Sequence, residues 1–168
     1  MAEPEQDITE YLTFTLGREV FALGIASVRE VLEVTDLTVI PRTPEFMRGV
    51  INLRGSAVPV MDMRMKFGMS KSRETVDTCI IIVEVDVGGE KSPIGGLVDS
   101  VREVLHIPQS AVEPAPPMGA AVDTRYIKGM ARVGEEFIIQ VDMDKVFSAD
   151  ELVLAGVGPA ANAAEAPA

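Results

Sequence analysis

Residues 27–32 read SVREVL, and residues 100–105 read SVREVL again. A six-residue identity inside 168 residues points to a duplicated unit, and the flanking sequence extends it. Before the first copy, residues 11–16 alternate in character, Gly17, Arg18 and Glu19 form a turn signal, and residues 20–25 return as a second strand. Together they predict a β-hairpin. Before the second copy, residues 78–87 run into the turn residues Gly88, Gly89, Glu90 and Lys91 and return through residues 94–98. After each copy the correspondence continues. Gly49 and Gly129, Asp62 and Asp142, and Phe67 and Phe147 each stand 80 residues apart, whereas the hexapeptides stand 73 apart. The difference falls in the proline-rich stretch between Pro108 and Asp123, where a loop takes up extra residues at little entropic cost.

The pattern predicts a mainly β protein of two pseudo-repeated units, each of about five short strands. The first covers about residues 9–75 and the second about 76–154, with terminal strand exchange between them as an option. Short helical turns are expected only near residues 43–48, 63–67 and 144–147. A unit of about 70 residues is close to the lower limit for an independent core, so the two are expected to pack together and share apolar surface. Short, closely spaced strands favour small closed barrels, which leave no exposed sheet edge. Residues 155–168 turn to Ala, Gly, Pro and Asn without periodicity, the composition of a disordered tail.

Hydrophobic residues make up 47% of the chain, enough for a core. The formal charge of −11, from 26 acidic and 15 basic residues, disfavours nucleic acid and anionic membrane as partners. The lone cysteine, Cys79, excludes an intramolecular disulfide and a cysteine-cluster metal site, and fits a reducing cytoplasm. The acidic residues 1–7 lack the basic and apolar segments of a secretory signal, and no apolar run approaches the roughly 20 residues of a membrane helix.

Candidate chemistry is sparse. His106 has no nucleophile, metal-ligand cluster or orienting carboxylate near it in sequence, which favours a structural or solvent-exposed role. Asp62 and Asp142 have the look of a catalytic carboxylate pair. As repeat equivalents that end a strand and precede a helical turn, they are instead expected to cap backbone N–H groups. Gly88-Gly89 and Gly95-Gly96 form neither a phosphate loop nor a dinucleotide fingerprint, and fit bends in a curved sheet. Met61, Met63, Met65 and Met69 cluster beside Val58, Val60 and Phe67, which favours core filling over an adaptable binding surface.

The informative segment is 41–62, PRTPEFMRGVINLRGSAVPVMD. Asn52, Leu53, Arg54 and Gly55 read as a tight turn between two strands, with Asn52 and Gly55 able to take conformations that bulky residues resist. An arginine on such a turn either braces the two units or contacts a partner, through its planar fork in both cases. The second unit, with MARVG at 130–134, keeps only an arginine.

Segment 43–68, TPEFMRGVINLRGSAVPVMDMRMKFG, with the hairpin before it, closely resembles the CheW family of bacterial chemotaxis coupling proteins. GVINLRG followed by VPVMDMR carries the likeness, and GGLVDSVREVL, YIKGM and IIQVDMDKVF extend it over about residues 11–154. The resemblance implies a CheW-like domain over residues 9–154, made of two intertwined five-stranded SH3-like barrels around a shared core. It implies a non-enzymatic adaptor with no cofactor. That adaptor links the cytoplasmic hairpin tips of methyl-accepting chemoreceptors to the regulatory domain of the histidine kinase CheA, and the receptor hairpin docks in an apolar groove between the units. Its location is cytoplasmic, with membrane association only through receptors.

An adaptor of a non-flagellar chemosensory pathway fits the same likeness, and a small-ligand-binding barrel is the alternative from another class. By position, the resemblance marks as partner-binding Val28 and Glu30 after the first hairpin, Gly49 and Arg54 about the turn, and Cys79, Gly95 and Val104 in the second unit. Glycine at 49 and 95 answers equally to a requirement of backbone geometry.

Overall fold

The computed structural model describes residues 8–87, 89–114 and 126–147. Its strands are β1 (Ile8–Leu16), β2 (Glu19–Gly24), β3 (Val28–Glu33), β4 (Met47–Leu53), β5 (Ser56–Asp62), β6 (Cys79–Val87), β7 (Glu90–Val98), β8 (Ser100–Pro108), β9 (Val112–Glu113), β10 (Ile127–Val133) and β11 (Glu136–Val141). Two four-residue helices, α1 (Met63–Lys66) and α2 (Met143–Val146), follow β5 and β11. The tail expected at 155–168 lies outside the described residues, as do residues 115–125 of the proline-rich connection.

Both sheets mix strands from the two halves of the chain. One has the order β8-β1-β2-β11-β10-β9, the other β3-β6-β7-β5-β4. Each order begins with an SVREVL strand, continues with the hairpin of the other half of the chain and ends with the later strands of the SVREVL strand's own half. Hairpin β1–β2 sits between β8 and β11, and hairpin β6–β7 sits between β3 and β5. In each sheet one pairing is parallel, β2 with β11 and β5 with β7. The duplicated units thus exchange hairpins reciprocally, which intertwines them.

Side-chain alternation explains how three apolar clusters stack. On β6, Ile80 and Ile82 enter one barrel with Ile51, Val58, Val60 and Leu97, while Ile81, Val83 and Val85 enter a larger cluster between the sheets. The strand is an unbroken apolar run from Ile80 to Val83 because both of its faces are buried there. β2 repeats the scheme: Val20 and Ala22 join Tyr11, Ile107, Ala131 and Ile138 in the other barrel, and Phe21 and Leu23 join the shared cluster. There Phe21 stacks on Phe14 at 5.7 Å and meets Phe67 at 5.1 Å, and Phe67 meets Tyr126 edge-on at 5.7 Å. Met61 and Met63 are fully buried in the same cluster, in line with the core reading of the methionines.

Some local expectations change. Residues 43–48 form no helix: a single turn closes from Met47 N to Pro44 O at 3.0 Å, and pairing with Met61 already commits Met47 to β4. β7 begins at Glu90, opposite Val87, so Glu90 and Lys91 belong to the ladder rather than to a turn. Ile25–Ser27 form a 3-10 turn, which leaves Ser27 outside β3, whereas Ser100 opens β8.

Candidate functional site

Both copies of SVREVL bulge at the same place. β3 pairs with β6 at Val28 and next at Glu30, skipping Arg29. β8 pairs with β1 at Val101 and next at Val104, leaving Arg102 and Glu103 opposite the single Thr13. The Thr13 hydroxyl fills that gap, donating to Glu103 O at 2.6 Å and accepting from Glu103 N at 3.0 Å. Such a bulge re-aims side chains out of the ladder, and the two copies use this differently.

In the first copy the glutamate reaches out. Arg54 Nη1 donates to Glu30 Oε1 at 3.3 Å and Nη2 donates to Oε2. In the second copy it is the arginine, and Arg102 Nη1 donates to Glu136 Oε2 at 3.2 Å. The residue 80 positions beyond Arg54 is Gly134, so the second barrel has no cation on that turn. Arg29, the first copy's counterpart of Arg102, also lies 3.7 Å from Glu84 on β6, so the copies differ in which residue reaches the hairpin turn: the glutamate in the first, the arginine in the second.

Arg54 and Gly55 form the two-residue turn between the paired Leu53 and Ser56, with φ of 51° and 88°. Asn52 does not take the permissive conformation expected of it; its Oδ1 accepts from Gly55 N at 2.8 Å. The left-handed backbone falls on Arg54, where a Cβ is disfavoured, because a two-residue hairpin of this hand requires positive φ at both central positions. Glu30 lies on β3 at one edge of its sheet and Arg54 on the hairpin β4–β5 that ends at the other edge, so their contact closes the curled sheet. The Arg54 side chain stays 68% exposed. Its hydrogen bond holds the Glu30 carboxyl below the ordinary glutamate range, and Glu30 raises Arg54 in turn.

The remaining candidates are placed around this pair in unequal ways. Val28 is half-buried against the shared core. Cys79 is half-buried at the start of β6 opposite Glu33, its thiol donates to Asp77 O at 3.3 Å, and burial pushes its pKa up. Gly49 and Gly95 are buried. A Cβ on Gly49 (φ 146°) would stand 2.7 Å from Thr38 O, and one on Gly95 would stand 2.8 Å from Ile80 Cγ2. Val104 is exposed on β8, in the other sheet and apart from the rest.

Asp62 and Asp142 both cap, as their spacing predicts, but they are not equals. Asp142 Oδ1 accepts from Asp144 N at 3.1 Å and Lys145 N at 3.4 Å. Asp62, fully buried, accepts from Arg64 N at 3.0 Å and Met65 N at 3.4 Å, and also from Arg48 Nη1 at 3.0 Å, Ser72 N at 2.9 Å and Ser72 Oγ at 2.7 Å. Sequence reasoning missed Arg48 and Ser72 because no local spacing announces contacts across 14 and 10 residues. His106 is exposed, with Nε2 3.3 Å from Glu10 Oε2. Among the described residues no group of three or more His, Cys, Asp or Glu is arranged to hold a metal ion, and no helix is long and apolar enough to cross a membrane.

Comparison with known proteins agrees with this geometry. A family model described as CheW-like domain matches residues 10–151. The chemotaxis protein CheW of Klebsiella aerogenes is 35% identical over 145 residues, spanning 86% of this chain and 85% of that protein. The protein FrzA of Myxococcus xanthus is 31% identical over 132 residues, spanning 78% of this chain and 77% of that one. Among solved structures, the scaffolding protein TtCheW from Thermoanaerobacter tengcongensis matches with a TM-score of 0.75 at 37% identity, covering 85% of this chain and 94% of that chain.

Proposed function

The chain belongs to the CheW-like domain family, and from that premise we propose that it is a non-enzymatic adaptor of chemotaxis signalling, joining methyl-accepting receptors to the regulatory domain of a CheA-type histidine kinase. One observation carries the reading to particular residues: Glu30 and Arg54, marked separately as partner-binding, converge on one exposed pair. Arg54 occupies a backbone region that its Cβ disfavours, yet most of its side chain faces water, which bracing alone does not require.

In this reading the kinase domain meets the face around Glu30 and Arg54, with Val28 and Cys79 on the adjoining strand pair. Val104, in the other sheet, serves a separate contact. Gly49 and Gly95 act from inside, by letting their strands pass Thr38 and Ile80 closely. An adaptor in a shifting array needs several modest interfaces rather than one large one. The adaptor unit runs over residues 9–154 and works in the cytoplasm, reaching the membrane only through receptors.

Calorimetry with a CheA regulatory domain and with a receptor cytoplasmic hairpin tests the proposal. Binding to both is expected, and absence of binding to either across several homologous partners overturns it. The likeness to FrzA supports a second reading, an adaptor of a non-flagellar chemosensory pathway. The identity of the receptors encoded beside this chain separates the two.

A further inference from the structure

A cleft of about 430 Å³ opens between the end of β1, the start of β8 and the connector from α1 to β6. It shares no lining residue with the groove beside Arg54. The cations Arg64, Lys71 and Arg73 line it, together with five hydroxyls and the carboxylates of Asp77 and Asp99. Asp99 is already engaged, accepting from Gly17 N at 2.6 Å and from Arg64 Nη1 at 2.9 Å. Among the described residues no ion pair involves Lys71 or Arg73. Two cations therefore face the cleft against Asp77 alone, on a chain whose formal charge is −11.

The connector is held in one shape. Ser72 is tied to buried Asp62 through both its N–H and its hydroxyl. Thr75 N donates to Thr78 Oγ1 at 2.8 Å, Asp77 N donates to Thr75 Oγ1 at 3.1 Å, and Thr78 N donates to Thr75 O at 3.2 Å. This self-capped turn holds Val76, between two lining residues, 99% exposed.

We propose that the cleft docks an acidic peptide segment of a protein partner. Its carboxylates accept hydrogen bonds from Lys71, Arg73 and the neighbouring hydroxyls, and an apolar residue beside them covers Val76. A free phosphate-type anion uses the cations and leaves Val76 bare, which is why a peptide fits the site better. A connector already fixed by its own hydrogen bonds loses little freedom on binding. The site lies outside the pair on which the adaptor reading rests, so it stands or fails separately.

Fluorescence anisotropy with a labelled peptide of alternating glutamate and leucine, and with its glutamine counterpart, tests the proposal on the full chain. The glutamate peptide is expected to bind, to weaken as salt is raised, and to lose roughly tenfold or more in affinity in Lys71→Glu/Arg73→Glu. Val76→Ser is expected to weaken it severalfold, with circular dichroism confirming the fold of each variant. No binding, equal binding of the two peptides, or indifference to the charge reversal overturns it. So does full displacement by inorganic phosphate combined with no effect of Val76→Ser, which identifies a small-anion site instead.

Discussion

The guanidinium of Arg54 donates to both carboxylate oxygens of Glu30, joining the turn of one edge hairpin to the strand at the opposite edge of the same sheet. In the other barrel the corresponding turn residue is Gly134, and the bridge is made by Arg102 to Glu136 instead. Two copies of one hexapeptide thus close two barrels with charges reversed, and a partner that reads charge can tell the barrels apart.

Arg54→Gly removes the side chain while keeping a residue suited to positive φ, so the thermal midpoint is expected to hold or rise while binding to the kinase regulatory domain falls by about tenfold. The charge-swapped pair Glu30→Arg/Arg54→Glu separates the two roles of this contact. It is expected to fold normally and to leave binding weak. Restored binding in the swap would mean that the pair only braces the barrel.

The Glu30 carboxyl is expected to titrate below other exposed glutamates in a carboxyl-carbon NMR titration, and to return to the ordinary range in Arg54→Gly. Because its pKa is depressed in the folded chain, the linked stabilisation is complete above the ordinary glutamate value and is lost as pH falls through the depressed one. Solvent screening of two exposed groups keeps that contribution small. A Glu30 titration indifferent to Arg54 would contradict the contact.

Asp62 and Asp142 occupy equivalent places, yet denaturant unfolding is expected to separate them. Asp142→Ala loses a helix cap, worth about 1 kcal/mol. Asp62→Ala also leaves Arg48 Nη1 with only the longer bond to Ser72 O at 3.4 Å and strands the N–H and hydroxyl of Ser72, and is expected to cost about 3–5 kcal/mol. Equal costs would mean that the buried network contributes nothing.

Gly49→Ala and Gly95→Ala are expected to destabilise by about 1–3 kcal/mol, and Gly49→Ala more, because its Cβ meets the backbone oxygen of Thr38 rather than a side chain that can shift. Gly24→Ala, with no heavy atom within 4 Å of the added Cβ, is the neutral control. Any loss of partner binding at positions 49 and 95 should follow the loss of folded protein measured by circular dichroism. Binding lost at full stability would place these residues in a contact.

Burial raises the Cys79 thiol pKa, so a disulfide reagent at neutral pH is expected to modify the native chain slowly and the unfolded chain quickly. Equal rates would show the thiol to be freely ionising in the fold.

The duplication, the hairpins, the capping role of Asp62 and Asp142 and the burial of Met61 and Met63 were all legible in the sequence, because turn chemistry and hydrophobic periodicity act over a few residues. The likeness of GVINLRG and VPVMDMR to one family was legible for the same reason: contiguous residues carry it. Tertiary structure alone decided which half supplies each hairpin, since exchanged and unexchanged pairings bury the same alternating faces and differ only in how the chain connects them. It also decided that Glu30 and Arg54, 24 residues apart, form one contact, and that the left-handed residue of the turn is Arg54 rather than Asn52. A hexapeptide repeated letter for letter cannot announce opposite charge partners; those come from the strand and turn that the fold brings to its bulge.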